Sequence, residues 1–427
     1  MGNQAYIPRE IFSKIKKHLD NKEITLIIGP RQVGKTVLLK QSQEYLIKDK
    51  KISSKLIFNF NLDIISDREL FLDQKIFIDY IKQKSKNNKI YVFIDEAQKV
   101  KEAGVFFKGV YDSDLNAKFI LTGSSNLEIK SKIQESLTGR KRVFHLLPFS
   151  FLEILNFKDK ELYNIIINQE RIFDVEIKKI KNIFLEYCIF GSYPQVILAD
   201  DIDEKLEYIK EIFNSYIEKD IIGFLKIENE ANFIKLVKLL SGQIGNLLRV
   251  SELATLVNTD HYTINRYLSN LERTFVTYNL LPFYSNPRQE IVKAPKIYFL
   301  DNGIRNFGIE RFSQNFRTRD DRGELLENII LKELLILKYY YKNFNIRFWR
   351  TKQGAEVDFV LEKENNILPI EIKSDLKNDQ LTKSFFSFLN KFKPDNALIV
   401  NLGFCGERII EKTKVNFIFP WMIKDFI

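Results

Sequence analysis

The sequence predicts a multidomain α/β chain: a parallel-sheet unit first, helical units next, and a second, smaller α/β unit last. Three observations predict it. Between residue 24 and about 126, short apolar runs alternate with helical stretches, as strands buried on both faces of a parallel sheet require. From about 150 to 240 the apolar residues fall three and four apart, as in Phe233, Leu236, Val237 and Leu240, which is the spacing of one helix face. The last hundred residues read as helix, three strands, helix, strand. At 427 residues the chain exceeds what one hydrophobic core organises, so two to four units are expected.

Each element follows from its own residues. Strands are expected at 24–28, 56–60, 90–94 and 119–122, all short apolar runs. Residues 247–273 read helix, turn, helix, with Ser251 a cap for a helix through Val257 and Thr259 or Asp260 a cap for one through Leu271. Strand-like stretches at 277–280 and 296–299 follow, the order a winged helix shows. Beyond them come a helix at about 323–341, strands at 346–349, 357–361 and 368–373, a helix around 381–392 and a strand at 397–400. The expected units are 1–150, a helical subdomain at 151–240, a winged-helix-like unit at 241–315 and a last α/β unit at 316–427.

Composition narrows the function classes. With 45% hydrophobic residues, 36 Phe and 18 Tyr, disorder over most of the chain is excluded, because there is ample apolar surface to offset chain entropy. Two cysteines, Cys188 and Cys405, exclude a disulfide scaffold and fit a reducing compartment. The first six residues show no apolar signal core, and no apolar run approaches the ~20 residues a membrane helix needs. The expectation is a cytoplasmic protein with no membrane partner. The 66 Lys and Arg against 56 Asp and Glu give a net charge of +10, which points to an acidic partner such as nucleic acid. Richness in Lys, Ile and Asn supplies a second source for that excess, a coding bias.

The strongest motif is Gly29, Pro30, Arg31, Gln32, Val33, Gly34, Lys35 and Thr36, which matches G-x-x-x-x-G-K-[ST] between a strand and a helix. In that context backbone N–H groups and a helix N-terminus meet phosphate oxygens, Lys35 offers a charge to the β- and γ-phosphates, and the Thr36 hydroxyl is an Mg²⁺ ligand. The run 90–94 ends in Asp95 and Glu96 at the sheet edge where α/β ligands bind. Asp95 is the candidate Mg²⁺ holder, and Glu96 the candidate for orienting the water that attacks the γ-phosphate. Strand 119–122 ends in small polar residues, and one of Ser124, Ser125 or Asn126, with Ser125 favoured, is the candidate contact to the γ-phosphate or the attacking water; a turn rich in Gly and Ser needs no such role. Small-molecule kinases share the loop, but the separate Asp-Glu strand and the extra strand 56–60 favour hydrolysis. ATP and Mg²⁺ are the expected ligands.

These motifs, with Ile94 to Lys99, Leu121 to Ser125, Leu137 to Arg140, Leu147 to Glu153, Phe190 to Pro194 and Ile297 to Gly303, resemble the AAA-type ATPases of bacteria and archaea that carry an uncharacterised C-terminal region. The resemblance covers most of the chain and implies an AAA-type P-loop NTPase sheet with a nuclease-type fold behind it. It departs at Lys219, where the family often has Arg before the Asp. Arg140 is a candidate phosphate or inter-subunit sensor, or one half of a surface salt bridge.

The nuclease-type expectation also has an argument in the residues. Residues two apart on a strand share a face, so Glu371 and Lys373 point together, and a hairpin pairing brings Asp358 alongside. The result is Asp-x12-Glu-x-Lys, the PD-(D/E)xK arrangement of a restriction-endonuclease-like α/β domain. There Asp358 and Glu371 would hold Mg²⁺ and Lys373 would steady the attacking water or the phosphorane charge. Glu327 is the candidate helix-borne acid. A half-buried strand with one polar face produces the same pattern without chemistry. The stretch 260–273 is formally neutral, with Asn265, Arg266 and Asn270 as candidate base contacts. Two functions remain open at this point: an ATPase controlling a DNA-binding or nuclease-like module, and an ATP-gated switch or scaffold for a protein partner. An oligomer is compatible with either.

Overall fold

A computed structural model describes all residues except 1–5, 87, 125–135, 216, 218–226, 228, 284–293, 314 and 365. The chain divides into two compact units, residues 1–149 with 273–275, and residues 150–272 with 276–427.

The first unit is built on a five-stranded sheet in the order β2-β3-β4-β1-β5. Its strands are β1 (Ile24–Gly29), β2 (Ile57–Asn61), β3 (Ile90–Asp95), β4 (Ala117–Ser124) and β5 (Lys141–His145), and every pairing is parallel. All six residues of β1 and all six of β3 are buried, which is why these runs lack the polar alternation of a one-sided sheet. Helix Gln74–Ser85 starts at Asp73, whose side chain accepts from the N–H groups of Lys75 and Ile76. It brings Phe77 against Phe71, Phe106 and Phe119.

Four of these strands fall where the sequence puts them. β5 was not expected. It is a sheet-edge strand whose Lys141 and Arg142 are only partly covered or exposed, so it shows no apolar run. Although 56–60 separates the two half-sites in sequence, β2 lies at the sheet edge. In space, the strand between β1 and β3 is β4.

The second unit begins with helices. Phe151–Lys158 opens with a capping box between Ser150 and Glu153, and Asp174–Phe190, Ile202–Phe213 and Glu230–Ser241 follow. Helices Val250–Val257 and His261–Arg273 then precede an antiparallel pair, β6 (Thr277–Leu280) and β7 (Lys296–Phe299). Ser251 does not cap the first of these two helices: it lies inside the helix, and Arg249 at the cap position makes no side-chain cap bond. Asp260, not Thr259, caps the second, its Oδ1 accepting from the Thr263 N–H at 2.9 Å.

After helix Arg322–Tyr340 comes a mixed six-stranded sheet in the order β12-β13-β11-β10-β9-β8. Its strands are β8 (Asn345–Arg350), β9 (Glu356–Lys363), β10 (Asn366–Lys373), β11 (Asn396–Asn401), β12 (Gly406–Ile410) and β13 (Thr413–Ile418), with helix Lys383–Phe392 between β10 and β11. That helix presses Phe385, Phe388 and Leu389 into a core with Trp349, Val357, Val360 and Ile399. β12 and β13 were not expected. β12 is an exposed edge strand, and Lys414 and Asn416 interrupt the apolar residues of β13.

Candidate functional site

In the first unit, Gly29 pairs with Ser124 and Ile94 with Leu121, so β1, β3 and β4 end along one sheet edge. Loops at such an edge carry the ligands of open α/β sheets. The segment 29–34 leaves β1, and helix Lys35–Lys48 starts directly after it. Gly34 has φ 93°, in the left-handed region glycine enters at least cost. Gly29 is required for a different reason. A Cβ there would lie 2.0 Å from the Leu146 carbonyl oxygen, a backbone atom. Loop N–H groups and a 14-residue helix thus begin at the strand end, the arrangement that stabilises phosphate.

The charged groups are placed around that loop. Lys35 is buried and its Nζ donates to the carbonyls of Gly29 and Pro30 at 3.1 and 2.9 Å. Thr36 Oγ1 donates to Asp95 Oδ2 at 2.6 Å. The other oxygen, Asp95 Oδ1, accepts from the Thr122 hydroxyl and from the Glu96 N–H at 3.2 Å. Glu96 turns the chain out of β3 with φ 55°, and its carboxylate accepts from the Gln98 amide. Arg31 and Gln32 are exposed and Val33 is buried. Ser125 lies outside the described residues, as does Lys219. For Mg²⁺ the residues fit: Thr36 and Asp95 are hard oxygen donors already in contact beside the loop.

The second unit gathers the other predicted residues. β9 and β10 pair antiparallel through Ile370 opposite Phe359, and the Ile372 N–H donates to Asp358 Oδ2 at 2.7 Å. Glu371 is buried. It accepts from Thr382 Oγ1 at 2.8 and 3.0 Å on its two oxygens and pairs with Lys373 Nζ at 2.7 Å. Glu327, on helix Arg322–Tyr340, accepts from the Tyr298 hydroxyl.

A residue absent from the sequence argument stands among them. Lys296, on β7, is 1% exposed and pairs with Glu327 at 3.2 Å and Glu356 at 2.5 Å. Arg350 also pairs with Glu356, at 3.0 Å. Burial pulls the Lys296 ammonium down, but the charges of Glu327, Glu356 and Asp358 outweigh it and hold it above the usual lysine range. Burial first, and then the Glu327 charge, pushes the Asp358 carboxyl above the usual carboxylate range, against the pull of Lys296.

Comparison with known proteins separates the two units. Residues 21–155 match an AAA domain. Residues 181–315 and 322–422 match two families described only as domains of unknown function, DUF8612 and DUF4143. A Haemophilus influenzae protein described as uncharacterized is 24% identical over 99% of this chain and 100% of its own length. An uncharacterized Methanocaldococcus jannaschii protein is 28% identical over 89% of this chain and 82% of its own. Among solved structures, the Aeropyrum pernix ORC2 protein covers 78% of this chain and 98% of its own at 11% identity and a TM-score of 0.39. Domain III of the Thermotoga maritima replication initiation protein DnaA covers 47% and 89%, at 13% identity and a TM-score of 0.28. At these scores neither structural likeness decides a fold or a partner.

The AAA-like unit therefore has the parallel-sheet α/β fold of the P-loop NTPases, with the nucleotide loop at its expected strand end. Sequence reasoning missed two of its residues. Thr122 left a signal, a hydroxyl at the end of an apolar run. Arg9 left none: it lies outside every motif, yet its guanidinium donates to the Val33 carbonyl at 3.0 Å and the Leu147 carbonyl at 2.5 Å and stacks over Phe149. Arg140 binds Asp112 through two bonds of 2.7 and 3.2 Å, the salt-bridge alternative. Among the described residues no helix is long and apolar enough to cross a membrane.

Proposed function

We propose that this protein is an Mg²⁺-dependent ATPase whose nucleotide state controls its C-terminal half. The observation that carries the reading is the contact of Thr36 with Asp95 beside a phosphate loop, with Glu96 the next residue on the same strand end. Lys35 exchanges the neutral carbonyls of Gly29 and Pro30 for the β- and γ-phosphates, a stronger, charge-assisted pairing. Glu96 orients and polarises the attacking water, and Thr122 fixes the Asp95 carboxylate through its second oxygen. Bound Mg²⁺ supplies neutralisation of the β- and γ-phosphate oxygens, with Thr36 and Asp95 as the residues that hold it. ATP hydrolysis by wild type and Glu96→Gln tests this reading, and equal rates would contradict the role given to Glu96.

The proposed organisation is the AAA-like unit to about 150, a helical subdomain to 240, a winged-helix-like part to 315 and a restriction-endonuclease-like part after it, acting in the cytoplasm. For this half we favour the reading as an ATP-gated switch that binds a partner without cutting. Lys296 among the carboxylates supports it over the nuclease reading. DNA as the partner has thin support in helix His261–Arg273. Asn270 is buried, which leaves only Asn265 and Arg266 of the three candidates exposed.

A further inference from the structure

Metal-dependent phosphodiester cleavage needs a cation held by carboxylates, which polarises the phosphate and lowers the pKa of the attacking water. Glu327, Asp358 and Glu371 have the chemistry to hold one, but their surroundings do not fit it. Buried carboxylates require compensating positive charge, and here a protein ammonium supplies it. β7 holds that ammonium in place. The Gly245 N–H donates to the Ile297 carbonyl and the Leu248 N–H to the Pro295 carbonyl, each at 2.8 Å, and the Ile297 N–H donates to the Asn246 carbonyl at 3.2 Å. Tyr298, two residues on and therefore on the same strand face, binds Glu327 beside it.

The other carboxylates are engaged as well. Glu371 is held by Thr382 and Lys373, Asp358 by the Ile372 N–H, and Glu356 by Arg350. Among the described residues no group of three or more His, Cys, Asp or Glu side chains is placed to hold a metal ion.

We propose that Lys296 is the resident cation of this cluster, that it keeps divalent metal out, and that the C-terminal sheet consequently does no metal-dependent cleavage. The inference rests on the nuclease-like reading of β9 and β10 proposed above. It assigns the winged-helix-like part a specific task, that of inserting β7 into the neighbouring carboxylate cluster.

The test is Mn²⁺ binding, read by electron paramagnetic resonance on the full chain without nucleotide, with plasmid cleavage as a second readout. Wild type is expected to show no Mn²⁺ site that depends on Glu371 and no cleavage that depends on Asp358. Lys296→Met is expected to tighten Mn²⁺ binding by ~100-fold, since the like charge that excludes the metal is removed, and adding Glu371→Gln should abolish the gain. Wild-type Mn²⁺ binding lost in Glu371→Gln overturns the proposal. So does wild-type cleavage lost in Asp358→Ala, or a folded Lys296→Met protein that binds Mn²⁺ no better than wild type. Because Lys296→Met strands buried carboxylates, Lys296→Met/Glu356→Gln serves as the variant with less uncompensated charge, and the wild-type measurements decide independently of either. Wild-type cleavage would uphold the nuclease-like reading while sinking the lysine plug. ATP hydrolysis by the same samples reports on the first unit separately.

Discussion

Both units bury a lysine, Lys35 in the first and Lys296 in the second, and they surround it in opposite ways. In the AAA-like unit Lys35 rests on two backbone carbonyls while two hydroxyls and an N–H satisfy Asp95. A phosphate can displace neutral carbonyls, so the lysine is poised for an incoming anion. In the second unit, Lys296 on β7 is given over to Glu327 and Glu356, and Lys373 on β10 to Glu371. Those pairings are charge on charge, and the Lys296 end is buried, so no incoming group displaces that ammonium cheaply. On the proposed reading, the same residue types make a ligand site in one unit and a closed electrostatic knot in the other.

Four perturbations break the contrast, each smaller in effect than the one before it. Glu96→Gln should lower the steady-state ATP hydrolysis rate by ~10²–10⁴-fold, the range for loss of a general base, with ATP binding retained in a filter or calorimetric assay. Lys296→Met should destabilise the second unit by ~3–5 kcal/mol in urea unfolding, the cost of stripping one partner from a buried ion pair, whereas Lys35→Met should abolish ATP binding without a comparable loss of stability.

Acid should separate the units next. Burial, and then the Lys118 charge, lowers the His18 imidazole to about 4. The unfolded chain therefore binds the proton first, and stability falls as pH drops from about 6.5 towards 4. Against its burial, the Arg319 and Arg305 bonds lower the Asp321 carboxyl to about 2. Its contribution is intact above about pH 4 and is lost as pH falls towards 2. Each is worth about 1–2 kcal/mol, checked as the difference in unfolding midpoint from His18→Gln and Asp321→Asn across those windows. Last, Arg140→Ala should leave both the melting temperature and the ATPase rate unchanged, because its partner Asp112 is an exposed salt-bridge acid. A large rate loss would support the sensor role instead.

Legibility in the sequence followed burial and locality. β1, β3 and β4 were readable because strands covered on both faces must be apolar throughout, and the phosphate loop because its glycines, Lys35 and Thr36 are contiguous. β5 and β12 were not, since edge strands carry exposed polar residues that erase the pattern. That β4 lies between β1 and β3 is a matter of topology, invisible in a list of runs. Glu371 and Lys373 share one strand, and Asp358 sits on its hairpin neighbour, so their meeting could be anticipated. Lys296 could not: it arrives from a separate element, and nothing in the residues around it marks an ammonium that will be buried against Glu327 and Glu356.

The most direct test of the contrast counts Mn²⁺ bound by the wild-type chain with and without ATP, by electron paramagnetic resonance. The account predicts a single tight site that appears with ATP, is lost in Asp95→Asn and is untouched by Asp358→Asn. A second tight site that survives without ATP and disappears in Asp358→Asn would contradict it.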